Sequence, residues 1–227
     1  DALPISSASL FLFSLGIVLA GIRETFLARR NSWARSRCCF FVQRSSSRMS
    51  ILPALTLVLG GARSGKSSFA EQLCLDHCTA AHVKAAIYLA TAEAGDQEMR
   101  NRIALHRQRR EPLWQTIEEP LDLIGVISRQ ANPQQPILVD CLTLWLSNLL
   151  QSGRSIGEET DRLLKTFQNR NLPPTVMVSN EVGLGIVPDN ELSRRFRDEA
   201  GRLNQKMAAA ADRVVLIAAG LPLSLKG

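Results

Sequence analysis

The features that would make this chain a membrane, export or disulfide-framework protein are missing. The stretch LFLFSLGIVLAGI, residues 10–22, is apolar for 13 residues, short of the roughly 20 that a spanning helix needs. An export signal carries its basic region ahead of the apolar run, yet the only charge before this one is Asp1 and the arginines follow it. The five cysteines, Cys38, Cys39, Cys74, Cys78 and Cys141, are odd in number and irregularly spaced, which excludes a regular disulfide framework and points to a reducing compartment. Cys74 and Cys78, near His77 and His82, make at most half a zinc site, because no second cysteine pair follows. A basic footprint is missing too. Residues 1–48 hold seven arginines and no lysine against Asp1 and Glu24, a charge of +5, so only +1 of the total +6 remains for residues 49–227. That balance argues against binding a nucleic-acid backbone. No internal repeat is visible.

What is present describes a globular chain: 227 residues, 45% hydrophobic and 21% charged, enough to bury one good core. The Arg- and Ser-rich residues 29–48 show no amphipathic period. We expect residues 1–48 to be a non-domain extension, either upstream of a misplaced start or a poorly ordered leader, with a targeting segment as the alternative and Met49 as the natural beginning. One domain is then expected over residues 49–227.

Within it, TLVLGGARSGKSSFAEQL from Thr56 reads as strand, glycine-rich turn and helix. Gly60, Gly61, Ala62, Arg63, Ser64, Gly65, Lys66 and Ser67 match G-x-x-x-x-G-K-S at every fixed position, in the context a phosphate loop requires. Gly60 and Gly65 let backbone N–H groups surround a phosphate, and a helix starting near Lys66 aims its positive end at the same anion. Lys66 is expected to reach the β and γ phosphates, and Ser67 to ligate Mg²⁺. Such a loop needs a partner carboxylate at the end of a neighbouring buried strand. Ile137-Leu138-Val139-Asp140 after Pro136 has that form, so Asp140 is expected as the second metal ligand, the other reading being an ordinary Asp that caps the following helix.

Further strands are expected at 86–89, 175–179 and 214–218, between helices near 98–107, 121–130, 142–151, 158–169 and 191–211. That alternation predicts an α/β fold of the P-loop NTPase kind, a mostly parallel sheet with helices on both faces and ligands at the strand carboxyl ends. Trp145, among Leu142, Leu146 and Leu149, is expected in the core. His106 stands between Arg102 and Arg110 at helical spacing. A solvated basic face and a phosphoryl-accepting imidazole steadied by arginines both fit that grouping. Asn180 and Glu181, before Gly183 and Gly185, read equally as ligand contacts or as a glycine-shaped turn capped by Glu181. Arg194, Arg195, Arg197 and Asp198 read as a solvated helix face or a subunit contact.

Six separated blocks then bear on identity: GGARSGKS at 60–67, YLATAEAGDQEMRNRIALHRQRR at 88–110, W-x-T-x-E at 114–118, LVDCLTLWLSNLL at 138–150, SNEVGLGIVP at 179–188 and RRFRDEAGRLNQKMAAAAD at 194–212. In their order and spacing, residues 56–227 resemble the bifunctional adenosylcobinamide kinase and adenosylcobinamide-phosphate guanylyltransferase family of cobalamin biosynthesis. Residues 1–48 have no part in the resemblance. It implies phosphorylation of adenosylcobinamide with ATP or GTP, then transfer of GMP from GTP to the new phosphate, giving adenosylcobinamide-GDP and pyrophosphate. It also implies that the guanylyl group first rests on His106. The family's nucleotide contacts fall on Gly60 to Ser67, on Thr91, Ala92 and Glu93, on Arg107, Gln108, Arg109 and Arg110, and on Glu118 and Asp140. A cytoplasmic homotrimer is the implied assembly. The competing readings are a single-activity small-molecule kinase, in which His106 is incidental, and a non-catalytic nucleotide-dependent regulator.

Overall fold

The computed structural model describes residues 51–92, 113–130, 132–168 and 171–227, and these build one sheet. Its strands are β1 (Leu55–Gly60), β2 (Ala86–Ala90), β3 (Trp114–Glu118), β4 (Ile137–Asp140), β5 (Thr175–Asn180), β6 (Arg213–Ala218) and β7 (Leu221–Lys226). They lie in the order β3-β2-β4-β5-β1-β6-β7. Every pairing is parallel except β6 with β7.

The central strands are buried on both faces, as the apolar runs LTLVLG and ILVD require of a covered parallel sheet. Alternation divides the core. Leu55, Leu57, Leu59, Ile87, Leu89 and Met177 face one side with Trp145, Leu146, Leu203 and Met207. Val58, Tyr88, Leu138, Val176 and Val178 face the other.

Helix α1 (Lys66–Ala80) covers that second face through Ala70, Cys74, His77 and Cys78, a stripe at i, i+4, i+7 and i+8. His77 is fixed there by both ring nitrogens: Nδ1 accepts the Leu52 N–H at 3.0 Å, and Nε2 lies 3.1 Å from the Gln134 carbonyl. Burial pushes the Cys74 and Cys78 thiols above the ordinary thiol range. Cys74, His77 and Cys78 thus pack α1 onto the sheet, and His77 ties it to Leu52 and Gln134.

Four helices lie among the other described elements: α2 (Leu123–Ser128), α3 (Leu142–Gln151), α4 (Ile156–Thr166) and α5 (Glu191–Ala210). Asp122, Ser155 and Asn190 cap α2, α4 and α5 by accepting N–H groups of the first turn. Trp145 of α3 is fully buried and donates its indole N–H to the Leu121 carbonyl at 2.9 Å. Truncating such a side chain to alanine costs about 3–5 kcal/mol.

The expected helix at 142–151 is found at those bounds, and the other described helices differ by a few residues at their ends. The helix expected at 98–107 lies outside the described residues. Two strands were not expected. β3 is a half-exposed edge strand, WQTIE, without an apolar run. β7 is exposed along its whole length and follows a two-residue turn in which Ala219 and Gly220 have φ of 50° and 80°. Such a turn matches the right-handed twist of a hairpin. Among the described residues no helix is long and apolar enough to cross a membrane.

Candidate active site

The phosphate loop leaves the carboxyl end of β1 and closes onto α1. Gly65 has φ 95°, a left-handed conformation that favours glycine, and it forms the N-cap from which α1 starts. Gly60 is required by space instead: a Cβ there would stand 2.5 Å from Ser64 Oγ and 2.7 Å from the Ile217 carbonyl. The loop is braced by the β6–β7 turn, where the Gly220 N–H donates to the Ser64 carbonyl at 2.9 Å. Lys66 is 9% exposed, and its Nζ donates to the Gly61 carbonyl at 3.1 Å. Ser67 follows in the first turn of α1, where unpaired N–H groups and the helix dipole favour an anion.

Asp140 ends β4 opposite Ala90 on one side and Val178 on the other. One strand, β5, separates it from β1, so the expected neighbouring strand is the next but one. The parity of β4 puts Asp140 on the face of Leu138, under α1. Tyr88 on β2 shares that face, and its hydroxyl donates to Asp140 Oδ2. The Tyr88 ring is buried against the edge of Trp114, with centroids 5.7 Å apart. Tyr88 thus fixes the orientation of the one carboxylate expected to hold a metal. Sequence reading passed it over, although the chain's single tyrosine inside a buried strand needs a partner for its hydroxyl.

The Cys141 thiol is pushed up to about 11, first by burial and then by the Asp140 carboxylate, while the backbone N–H groups of Leu144 and Thr143, and after them the Lys66 ammonium, offset part of the rise. Hard oxygen donors from Ser67 and Asp140 suit a magnesium ion, which takes one or two protein ligands beside the phosphates of a nucleotide. The donor chemistry fits.

Of the remaining expected residues, Thr91 is buried and tied to β4. Its hydroxyl donates to the Cys141 carbonyl and accepts the Cys141 N–H, each at 2.8 Å, while its own N–H reaches the Asp140 carbonyl. Asn148 on α3 donates to the Thr91 and Pro120 carbonyls at 2.8 and 3.0 Å, joining the ends of β2 and β3. Ala92 is half-buried next to Thr91. Glu118 is exposed at the end of β3 opposite Ala90, two strands from Asp140. Glu93, His106, Arg107, Gln108, Arg109 and Arg110 lie outside the described residues. Gly60, Lys66, Ser67 and Asp140 are thus gathered at one edge, and Glu118 stands apart on the same edge.

In the loop after β5 the Glu181 carboxylate accepts the Gly183 N–H at 2.6 Å, so the capped turn is formed. Arg194 is not simply a solvated charge. Its guanidinium donates to the Pro188 and Asp189 carbonyls at 3.0 and 2.6 Å, whereas Arg197 and Asp198 form a surface pair at 3.0 Å.

The family model described as cobinamide kinase / cobinamide phosphate guanyltransferase matches residues 56–225. The bifunctional adenosylcobalamin biosynthesis protein CobP of Pseudomonas aeruginosa is 49% identical over 75% of this chain and 96% of its own. Those named CobU from Escherichia coli K12 and Salmonella typhimurium LT2 are 38% and 39% identical, each over 76% of this chain and 99% of their own. Among solved structures, the flagellar accessory protein FlaH of Methanocaldococcus jannaschii aligns with a TM-score of 0.48 and 13% identity over 78% of this chain and 80% of its own.

Proposed function

The chain belongs to the cobinamide kinase and cobinamide phosphate guanyltransferase family, and from that membership we propose how its residues divide the two activities. It is a bifunctional enzyme of cobalamin biosynthesis with nucleotide and cobinamide substrates. The observation that supports the residue assignment is the G-x-x-x-x-G-K-S loop, braced at the carboxyl edge of the sheet by Gly220 with Lys66 buried over it, at the same edge where β4 ends in Asp140.

In the kinase step the P-loop backbone and Lys66 hold the β and γ phosphates of ATP or GTP while the cobinamide hydroxyl attacks the γ phosphorus and the nucleoside diphosphate leaves. Ser67 and Asp140 would hold Mg²⁺, with Asp140 oriented by Tyr88. When bound, the ion neutralises phosphate charge and aligns the nucleotide. In the transferase step a neutral nitrogen of His106 attacks the α phosphorus of GTP and pyrophosphate leaves. An oxygen of adenosylcobinamide phosphate then attacks the same phosphorus, and the phosphorus–nitrogen bond breaks to give adenosylcobinamide-GDP. Arg107 and Arg110 steady the phosphate charge during both displacements. Thr91, Ala92, Glu93, Gln108, Arg109 and Glu118 complete the nucleotide contacts in this reading, on the strength of the family blocks alone. Both activities are assigned to residues 49–227, in a cytoplasmic homotrimer.

The test uses GTP labelled at the α phosphate, with Mg²⁺, followed by denaturation. Wild-type protein is expected to retain an acid-labile, base-stable label that His106→Ala does not acquire. If neither protein is labelled while adenosylcobinamide is still phosphorylated, His106 leaves the chemistry and the chain acts as a kinase alone.

A further inference from the structure

The P-loop accounts for the nucleotide and leaves open where the corrin ring of the acceptor rests. The connection from β5 to α5 starts against the phosphate loop: Asn180 is registered opposite Gly60, and the Glu181 N–H donates to the Gly60 carbonyl at 3.1 Å. Its two ends are held, by Gly183 on Glu181 and by Arg194 on the carbonyls of Pro188 and Asp189. Between these ties Leu184, Ile186 and Val187 are 89%, 96% and 59% exposed, and Leu192 follows at 66% in the first turn of α5. Turns are ordinarily polar. Several large aliphatic side chains close together on a tied loop mark a surface that something covers. A groove of about 470 Å³ beside the start of α5 continues the apolar character through Leu150, Leu192 and Phe196.

We propose that this connection is the platform for the corrin ring, with Leu184, Ile186 and Val187 against its methyl-bearing rim while the hydroxyl-bearing arm enters the P-loop. The proposal rests on the cobinamide kinase reading. In-line attack at the γ phosphorus fixes the hydroxyl beside Lys66, and the macrocycle is too broad to follow it into the loop. Among the described residues, the β5–α5 connection projects past the strand ends next to Gly60. Leu184 lies within about 10 Å of Glu181 along the chain and Ile186 within about 17 Å, so both are near enough to serve. Charge agrees as well. Residues 181–194 carry Glu181, Asp189 and Glu191 against Arg194, which sits on the Pro188 and Asp189 carbonyls, and this acidic excess suits an alkylcobalt(III) corrinoid of net positive charge with uncharged amides. Its phosphorylated arm, of opposite sign, is directed to the lysine and helix N-terminus instead.

The test is the double variant Leu184→Ser, Ile186→Ser in the full-length chain. Three quantities are compared with wild type: the KM for adenosylcobinamide, the affinity for a fluorescent GTP analogue, and the mass in solution by light scattering. The expected result is a KM for adenosylcobinamide raised about tenfold, in keeping with the loss of two apolar contacts, at unchanged nucleotide affinity and mass. An unchanged KM overturns the proposal. So does a changed mass, which makes the loop a contact between copies of the chain. If wild-type protein binds the nucleotide but never phosphorylates adenosylcobinamide, the functional reading itself fails, and the platform with it.

Discussion

The two edges of the parallel sheet are built from similar strands and carry opposite properties. At the amino edge, a cavity of about 730 Å³ is lined by Ala54, Leu164, Phe167 and the charged Asp161, Lys206 and Asp212. Its charges are engaged in holding the fold: Asp212 accepts the Leu55 N–H at 3.0 Å, and Lys206 meets Asp161 at 2.7 Å. At the carboxyl edge, Lys66 is buried over a loop whose backbone enters the left-handed region at Arg63 and Gly65, and Asp140 is aimed by a buried tyrosine. Cavity size is a common guide to a site, but the candidate site is marked instead by backbone donors and charges held in place where the strands end.

The sharpest way to break this contrast is to remove Lys66. Lys66→Ala takes away a cation that is expected to act on transferring phosphate, and kinase kcat/KM should fall about a thousandfold. The midpoint of thermal unfolding should move little, because the ammonium's bond in the fold is to one carbonyl of a surface loop. Steady-state phosphorylation of adenosylcobinamide and a melting curve check both parts. A loss below about tenfold removes the carboxyl edge from the chemistry.

A smaller effect is expected at Tyr88, which touches the carboxylate and not the substrate. Tyr88→Phe keeps the ring packed on Trp114 and removes the donor to Asp140 Oδ2. Partners that orient a metal ligand are typically worth 10- to 100-fold in affinity, and a loss of about tenfold is expected. Titrating Mn²⁺ by its paramagnetic resonance signal in the presence of a non-hydrolysable GTP analogue reads this directly, apart from turnover. Unaltered Mn²⁺ affinity leaves Tyr88 a packing residue.

Contiguous features and assembled ones are unequally legible in the sequence. The P-loop is a contiguous string, and the buried strands β1, β4, β5 and β6 announce themselves as apolar runs, so both were legible. Asp140 was found as a residue but its neighbourhood was not, because strand order is carried by tertiary packing. Only the parallel pairing of β2 with β4, from Ile87 opposite Ile137 to Ala90 opposite Asp140, makes Tyr88 a partner. The interposition of β5 between β1 and β4 was hidden for the same reason. β3 and β7 escaped because edge strands need bury little and lose the apolar signature that pattern reading depends on. The brace from Gly220 to Ser64 joins residues more than 150 apart in the chain, and no local signal marks it.

The smallest expected effect belongs to the amino edge and completes the contrast from its other side. Lys206 and Asp161 join α5 to α4 with side chains 46% and 56% exposed. Solvent screens such a pair and the two side chains lose rotamer freedom in making it, so Lys206→Ala should cost about 0.2–1 kcal/mol. Urea denaturation measures that loss, and kinase kcat/KM is expected to stay at the wild-type value. The charge removed is the same as in Lys66→Ala and a cavity of about 730 Å³ lies beside it, so the two lysines differ in what surrounds them. A comparable fall in activity from Lys206→Ala shows that the amino-edge cavity takes part in function, and the division of the sheet into a working edge and a structural one no longer holds.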